Sequence, residues 1–190
     1  MTNMLKYHKL YEYLEFDEKG KTKLLRAAKT LLNNPIDIIK SFVKEYKNLG
    51  IEEDIIPERI ILYQSSLYSK KSILHYLFKH GDCRTFKTLY KNYKEEVTRL
   101  LFEKDRKFNL PIHYAAQNLQ EGSAILTELK YIHNQMQATG KYGRNPQHYA
   151  AIVVNPILFS DLTTFTPHSS IGLYKSLHFS SCDFIYINHK

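Results

Sequence analysis

Tryptophan is absent from the 190 residues, and cysteine, glycine and proline are scarce, with two, seven and six copies. So few glycines and prolines cannot supply the many tight turns of a β-sandwich, whereas the runs of Lys, Leu, Glu and Tyr favour helices. The chain is therefore expected to be all-α. The cysteines, Cys83 and Cys182, form neither a CxxC pair nor any other metal-ligand spacing. No metal, no other cofactor, and reduced thiols in a cytoplasmic compartment are the expectations. No apolar run approaches the roughly 20 residues that a bilayer requires. Even AIVVNPILF (151–159) is short and broken by Asn155 and Pro156, so no transmembrane segment is expected. The first residues, MTNMLKYHKLYEYLEF, lack a continuous apolar stretch and carry Glu12 and Glu15, which argues against a secretory signal peptide.

What the chain does hold is apolar and basic. Hydrophobic residues make up 43% of it, with 15 Tyr and 10 Phe, enough to build a core. Lys and Arg number 27 against 19 Asp and Glu, a net charge of +8. Residues 72–107 are the most basic part, with 9 basic and 5 acidic side chains. Such an excess attracts acidic partners, whether protein, nucleic acid or anionic lipid, without choosing among them.

Comparing the sequence with itself is more informative. DRKFNLPIHYAAQ (105–117) and GKYGRNPQHYAAI (140–152) share Pro, His and an Ala pair, at an offset of 35 residues from His113 to His148. Farther back, KKSILHYLFKHGD (70–82) supplies Ser72, Leu74, His75 and Gly81. DEKGKTKLLRAA (17–28) supplies Asp17, Gly20, Thr22, Leu24, Ala27 and Ala28, with Leu25 in the histidine's place. Near the end, YKSLHFSSC (174–182) offers Leu177 and His178. Amphipathic helices are predicted to follow at 35–46, 83–93 and 123–136.

These residues resemble the ankyrin-repeat family, whose unit reads D-x-x-G-x-T-P-L-H-x-A-A followed by a second helix. Glycine frees the turn, Thr or Ser caps the first helix, Pro occupies its first turn, and the small Ala pair lets the next unit approach. The resemblance implies an ankyrin-repeat solenoid of four to five helix-turn-helix units with atypical ends. A capping helix is expected at 1–16 and a repeat at 17–48. An insertion or degenerate repeat follows at 49–69, repeats at 70–104, 105–139 and 140–169, and a partial repeat or tail at 170–190. Each helix pair has an apolar face that only a neighbour can cover.

Several residues invite sharper readings. Gly20, Lys21 and Thr22 spell the end of a phosphate-binding loop, but Glu15 stands where the first glycine is required, so a repeat turn is preferred. His75, His113, His148 and His178 follow the repeat spacing and are expected to be structural rather than ligands of one ion. Cys83 reads as a small buried hydrophobe. Tyr76, Tyr114 and Tyr149 recur at one position and are expected to pack between units.

In this family the turns and first helices usually form the binding surface. Carried over residue by residue, those positions are Lys19, Lys21, Lys29, Lys71, Lys79, His80, Arg106, Lys107, Asn109, Gln117, Asn118, Lys141, Tyr142 and Arg144. The resemblance implies a protein-protein interaction module that meets an acidic partner with a basic concave face, with no catalytic residues. Residue usage and the HYAA variant look like those of ankyrin-repeat proteins of intracellular bacteria such as Legionella. That likeness implies an effector acting on a host protein in the host cytoplasm. The alternative is nucleic-acid binding by the same face, with a steep salt dependence. An enzyme ranks last, because neither 49–70 nor the C-terminal stretch groups an acid, a base and a nucleophile.

Overall fold

The computed structural model describes residues 2–50, 56–132 and 138–153. Among them the secondary structure is helical, with a single isolated antiparallel bridge between Ser65 and Ser72. The chain forms α1 (Thr2–Leu14), α2 (Lys23–Thr30), α3 (Pro35–Lys47), α4 (Pro57–Leu62) and α5 (Ile73–His80). It continues through α6 (Cys83–Asn92), α7 (Lys94–Leu100), α8 (Pro111–Ala115), α9 (Gly122–Ile132) and α10 (Pro146–Ile152). Proline stands at the start of α3, α4, α8 and α10, where its missing N–H costs nothing. The Asn34 side chain accepts the Ile36 amide at 3.1 Å and Asp82 accepts the Thr85 amide at 2.6 Å, so α3 and α6 have their free amides capped.

The helices pair into hairpins, α2 with α3, α5 with α6 and α8 with α9, and the hairpins stack. The first helices make one row, α2 on α5, α5 on α8 and α8 on α10. Behind them α3, α6 and α9 make a second row. Helix α5 sits mid-row, and its sequence reflects that: Ile73, Leu74, Leu77 and Phe78 are fully buried around its circumference. The Phe78 ring meets Phe86 of α6 edge-on at 4.9 Å, locking one hairpin internally. Between neighbouring first helices the buried small residues Ala27, Ala28, Ala115 and Ala116 allow close approach. Each buried Leu, Ile or Phe of this core contributes about 1.5–3 kcal/mol over its exposed state.

Two helices interrupt the expected succession. Helix α4 lies within 49–69, buries Ile61 and Leu62, and packs on α3. Helix α7 follows α6 after a break at Tyr93 (φ −136°, ψ 51°) and packs back on it, burying Val97 and Leu100. At the N-terminal end, α1 lies against α2 and α3 and buries Leu10. The rest of the expected unit at 140–169, the stretch 170–190, and Leu177, His178 and Cys182 lie outside the described residues. No helix among the described residues is long and apolar enough to cross a membrane.

Candidate functional site

Each first helix is preceded by a turn, and the four turns close in the same way. The amide of the first residue donates to the carbonyl of the last: Asp17 to Lys21 at 2.9 Å, Ser66 to Lys71 at 2.9 Å, Asp105 to Asn109 at 3.0 Å and Gly140 to Arg144 at 2.8 Å. The next-to-last residue is left-handed in every case, with φ of 64° at Gly20, 52° at Lys70, 60° at Phe108 and 68° at Gly143. In the first and third turns an aspartate braces the loop from inside. Asp17 Oδ1 accepts the amides of Lys19 and Lys21, and Asp105 Oδ1 accepts those of Lys107 and Asn109, all at 2.8–2.9 Å. In the second turn the Ser66 hydroxyl takes that role, accepting the Lys71 amide at 3.0 Å.

The turns are tied to one another in sequence order. Leu67 donates its amide to the Gly20 carbonyl, Arg106 to the Ser69 carbonyl, and Lys141 to the Asn109 side-chain oxygen, each at 2.9 Å. Histidines add the next ties. His75 Nδ1 accepts the Ser72 amide at 3.1 Å while its Nε2 donates to the Asn109 carbonyl at 3.0 Å. His113 repeats this with the Leu110 amide at 3.0 Å and the Ala138 carbonyl at 3.1 Å. Burial, partly offset by the bond to Asn109, pushes the His75 pKa down to about 4, and burial lowers that of His113 as well. Both rings are therefore neutral at pH 7 with the proton on Nε2.

The repeating tyrosines are packing groups. Tyr76, Tyr114 and Tyr149 are all buried. The Tyr114 ring stands edge-on to His75 at 5.5 Å and Tyr149 to His113 at 5.2 Å, so each tyrosine seals the histidine of the preceding unit. The Tyr114 hydroxyl donates to Asp105 Oδ2 at 2.6 Å, and burial followed by this acid raises its pKa. The Tyr149 hydroxyl donates to Asn109 Oδ1 at 2.7 Å.

The predicted surface residues separate into two groups. Asn109 does not belong to the surface: it is 3% exposed, and its two oxygens serve four donors from His75, Asp105, Lys141 and Tyr149. Asn118 is likewise buried, with its side-chain amide on the carbonyls of Phe78 and Gly81 at 3.1 and 3.2 Å. Gln117 is half-buried at the end of α8. Lys19 and Lys21 lie on the first turn beside Asp17. The remaining cations form a run along the turns and the ends of the first helices. Lys71 extends over the Tyr114 ring at 4.4 Å. Its pKa is lowered by burial first and then by the charge of Lys79, with Lys107 and Lys29 adding to this and Asp105 partly opposing it. Burial, then Lys79, Lys29 and Lys71, lower that of His80. Lys107 in turn acts on Tyr142, which lies under Lys141 Nζ at 4.4 Å and near the Arg144 guanidinium at 5.5 Å.

Cations thus recur along the turns and first helices from Lys29 to Arg144, with Asp105 braced beneath them. The ion pairs among the described residues, Arg26–Asp17, Arg59–Glu95, Arg59–Glu96 and Lys87–Glu128, use none of these cations. Arg106 is a partial exception to free display, since its Nη1 donates to the Tyr68 carbonyl at 3.0 Å. The sequence reading passed over Tyr68 and Phe108, which are 60% and 67% exposed at the turn tips. Phe108 stands at the left-handed position of its turn. Cys83 is buried, and burial raises its thiol pKa, which leaves it a poor nucleophile. Among the described residues no three His, Cys, Asp or Glu side chains converge as a metal site.

No family model and no curated protein matches the sequence. The fold is similar to a solved structure described as a predatory endopeptidase from Bdellovibrio bacteriovorus in complex with an immunity protein. That likeness has 15% identity and a TM-score of 0.46, over 86% of this chain and 90% of that one. A match so distant carries no weight for function.

Proposed function

We propose that this chain is an ankyrin-repeat interaction module that binds the acidic surface of a protein partner through its basic face. The observation that carries the reading is the run of Lys29, Lys71, Lys79, Lys107, Lys141 and Arg144 on consecutive units, outside every ion pair among the described residues. Lys71, half-buried and repelled by Lys79, Lys107 and Lys29, is stabilised by an opposing negative surface. The repeated turn, the paired helices and the His75 and His113 ties support the ankyrin assignment. A preformed, hydrogen-bonded scaffold also lowers the ordering cost of association.

Binding rather than catalysis is favoured because the candidate groups are already engaged. The His75 and His113 rings are bonded at both nitrogens, and Cys83 is buried. The repeating tyrosines Tyr76, Tyr114 and Tyr149 have their rings inside the stack and form no base-stacking row, whereas the exposed rings of Tyr68, Phe108 and Tyr142 are what a nucleic-acid partner would use, so the salt titration below separates the two readings.

Charge reversal at Lys79, Lys107 and Arg144 to Glu tests the reading. The assay is quantitative capture of identified proteins from cell lysate, beside titration of unrelated DNA and RNA over a range of salt. Loss of an acidic protein partner by the variant is the expected result. Unchanged capture rejects the basic face, and salt-dependent binding of any nucleic acid at comparable strength replaces the protein reading with the alternative.

A further inference from the structure

We infer that the tips of the third and fourth turns are an apolar anchoring site. Phe108 and Tyr142, flanked by Lys107, Lys141 and Arg144, take large apolar side chains from an acidic, amphipathic partner segment. This rests on the basic face being the binding surface and adds what the partner must carry besides charge.

Backbone conformation supplies the first reason. Phe108 and Tyr142 are both left-handed, with φ of 60° each. At the position of Phe108 the first and fourth turns use Gly20 and Gly143, which adopt φ of 64° and 68° without a Cβ. A bulky L-residue there is strained by about 1 kcal/mol or more.

No core contact offsets that strain. The two side chains are 67% and 76% exposed, so neither contributes a core contact that glycine or asparagine would lose. Tyr68 provides the contrast. Although 60% exposed, its ring lies against the backbone of Gly20, within 2.9 Å of where a Cβ would stand, and so packs one turn on the next. Phe108 and Tyr142 are left-handed and exposed, and within the described structure Tyr142 is engaged only by the surface cations Lys141 and Arg144.

Their surroundings define the occupant. Lys141 Nζ and the Arg144 guanidinium sit over the Tyr142 ring at 4.4 and 5.5 Å, and Lys107 precedes Phe108. Aromatic rings set among cations match the composition of binding hot spots in protein interfaces. The two turns are joined by the bond from the Lys141 amide to Asn109, so the backbones that carry the rings are tied together before any partner arrives. Charge complementarity calls for carboxylates beside the apolar groups. With neighbouring units about 10 Å apart, an extended segment would place its apolar residues about three positions apart.

The test is selection of a displayed library of random peptides about 12 residues long, enough to cross three turns at about 3.3 Å per residue. It is run on the intact chain and on Phe108→Gly and Tyr142→Gly. Enriched peptides are expected to combine Asp or Glu with Leu, Phe or Trp and to bind each variant about tenfold more weakly. Thermal midpoints of both variants should be equal to or above that of the intact chain, because glycine relieves the strained backbone. Acidic peptides with no apolar enrichment, or equal affinity for the variants, overturn the anchoring site and leave the basic face standing. Enriched peptides without acidic residues, or no enrichment at all, overturn both. A lowered midpoint assigns the rings to folding and equally ends the proposal.

Discussion

Acid should weaken this fold well before its carboxylates are protonated, and His75 should be the main cause. The ring is 1% exposed and committed at both nitrogens, with the Ser72 amide donating to Nδ1 and Nε2–H donating to the Asn109 carbonyl. A second proton must go on Nδ1, where it would face an N–H donor already pointing at it. Burial is the main reason the ring's pKa is about 4 in the fold, against 6.5 for the free side chain. A group whose folded pKa lies below its unfolded value binds protons more readily in the unfolded chain. Its stabilisation is complete above pH 6.5 and is lost as the pH falls toward 4. At about 1.36 kcal/mol per pH unit, that loss is about 3 kcal/mol near pH 4. His113 is shifted in the same direction by burial and adds to it. Urea unfolding followed at several pH values between neutral and about 4.5 measures the effect. The matching variant is His75→Gln, which does not titrate. It should be less stable than the parent at neutral pH, yet lose far less on acidification. A variant with the parent's full pH dependence would refute the assignment to His75.

Further expectations follow from local geometry. Thr22 stands where Ser72 meets His75, but Leu25 replaces the histidine, and the buried Thr22 hydroxyl finds no partner among the described residues. Thr22→Val should therefore raise stability by about 1 kcal/mol in urea unfolding, and a clear loss would show that the hydroxyl is satisfied. At Gly140 an added Cβ would lie 2.3 Å from Asn109 Oδ1 and 3.0 Å from His113 Nε2. Both neighbours are held by bonds of their own, so Gly140→Ala should cost about 2 kcal/mol, and a neutral result would disprove the close approach.

The sequence was most readable where the backbone imposes a chemical demand. Gly20 and Gly143 marked left-handed turn positions, Pro111 and Pro146 marked helix starts, and His113 and His148 stood at the same helix position in successive units. The second turn was hidden for the same kind of reason. Ser66 does the bracing that Asp17 and Asp105 do elsewhere, and Lys70 holds the left-handed position without being glycine, so 66–71 carries neither marker. Helix α7 escaped notice because the break at Tyr93 involves no Gly or Pro. Carrying over the family's binding positions puts Asn109 on the surface, and its burial follows from partners 32 and 40 positions along the chain. The basic face fared differently. Its lysines were visible one at a time, whereas their crowding around Lys71 depends on how the first helices are stacked.

The substitution of Leu25 for a histidine has a mechanical side. Each turn grips only its neighbour, so a pull on the two ends would load the junctions in series, like links of a chain. Between the second and third turns the His75 ring, the Arg106 amide and the Arg106 guanidinium share that load. The first junction has the Leu67 amide on the Gly20 carbonyl, the Tyr68 ring packed on Gly20 and, in place of a histidine that bonds across, the apolar side chain of Leu25. Greasy surfaces slide where directional bonds resist, and under tension the stack would part first between α2 and α5.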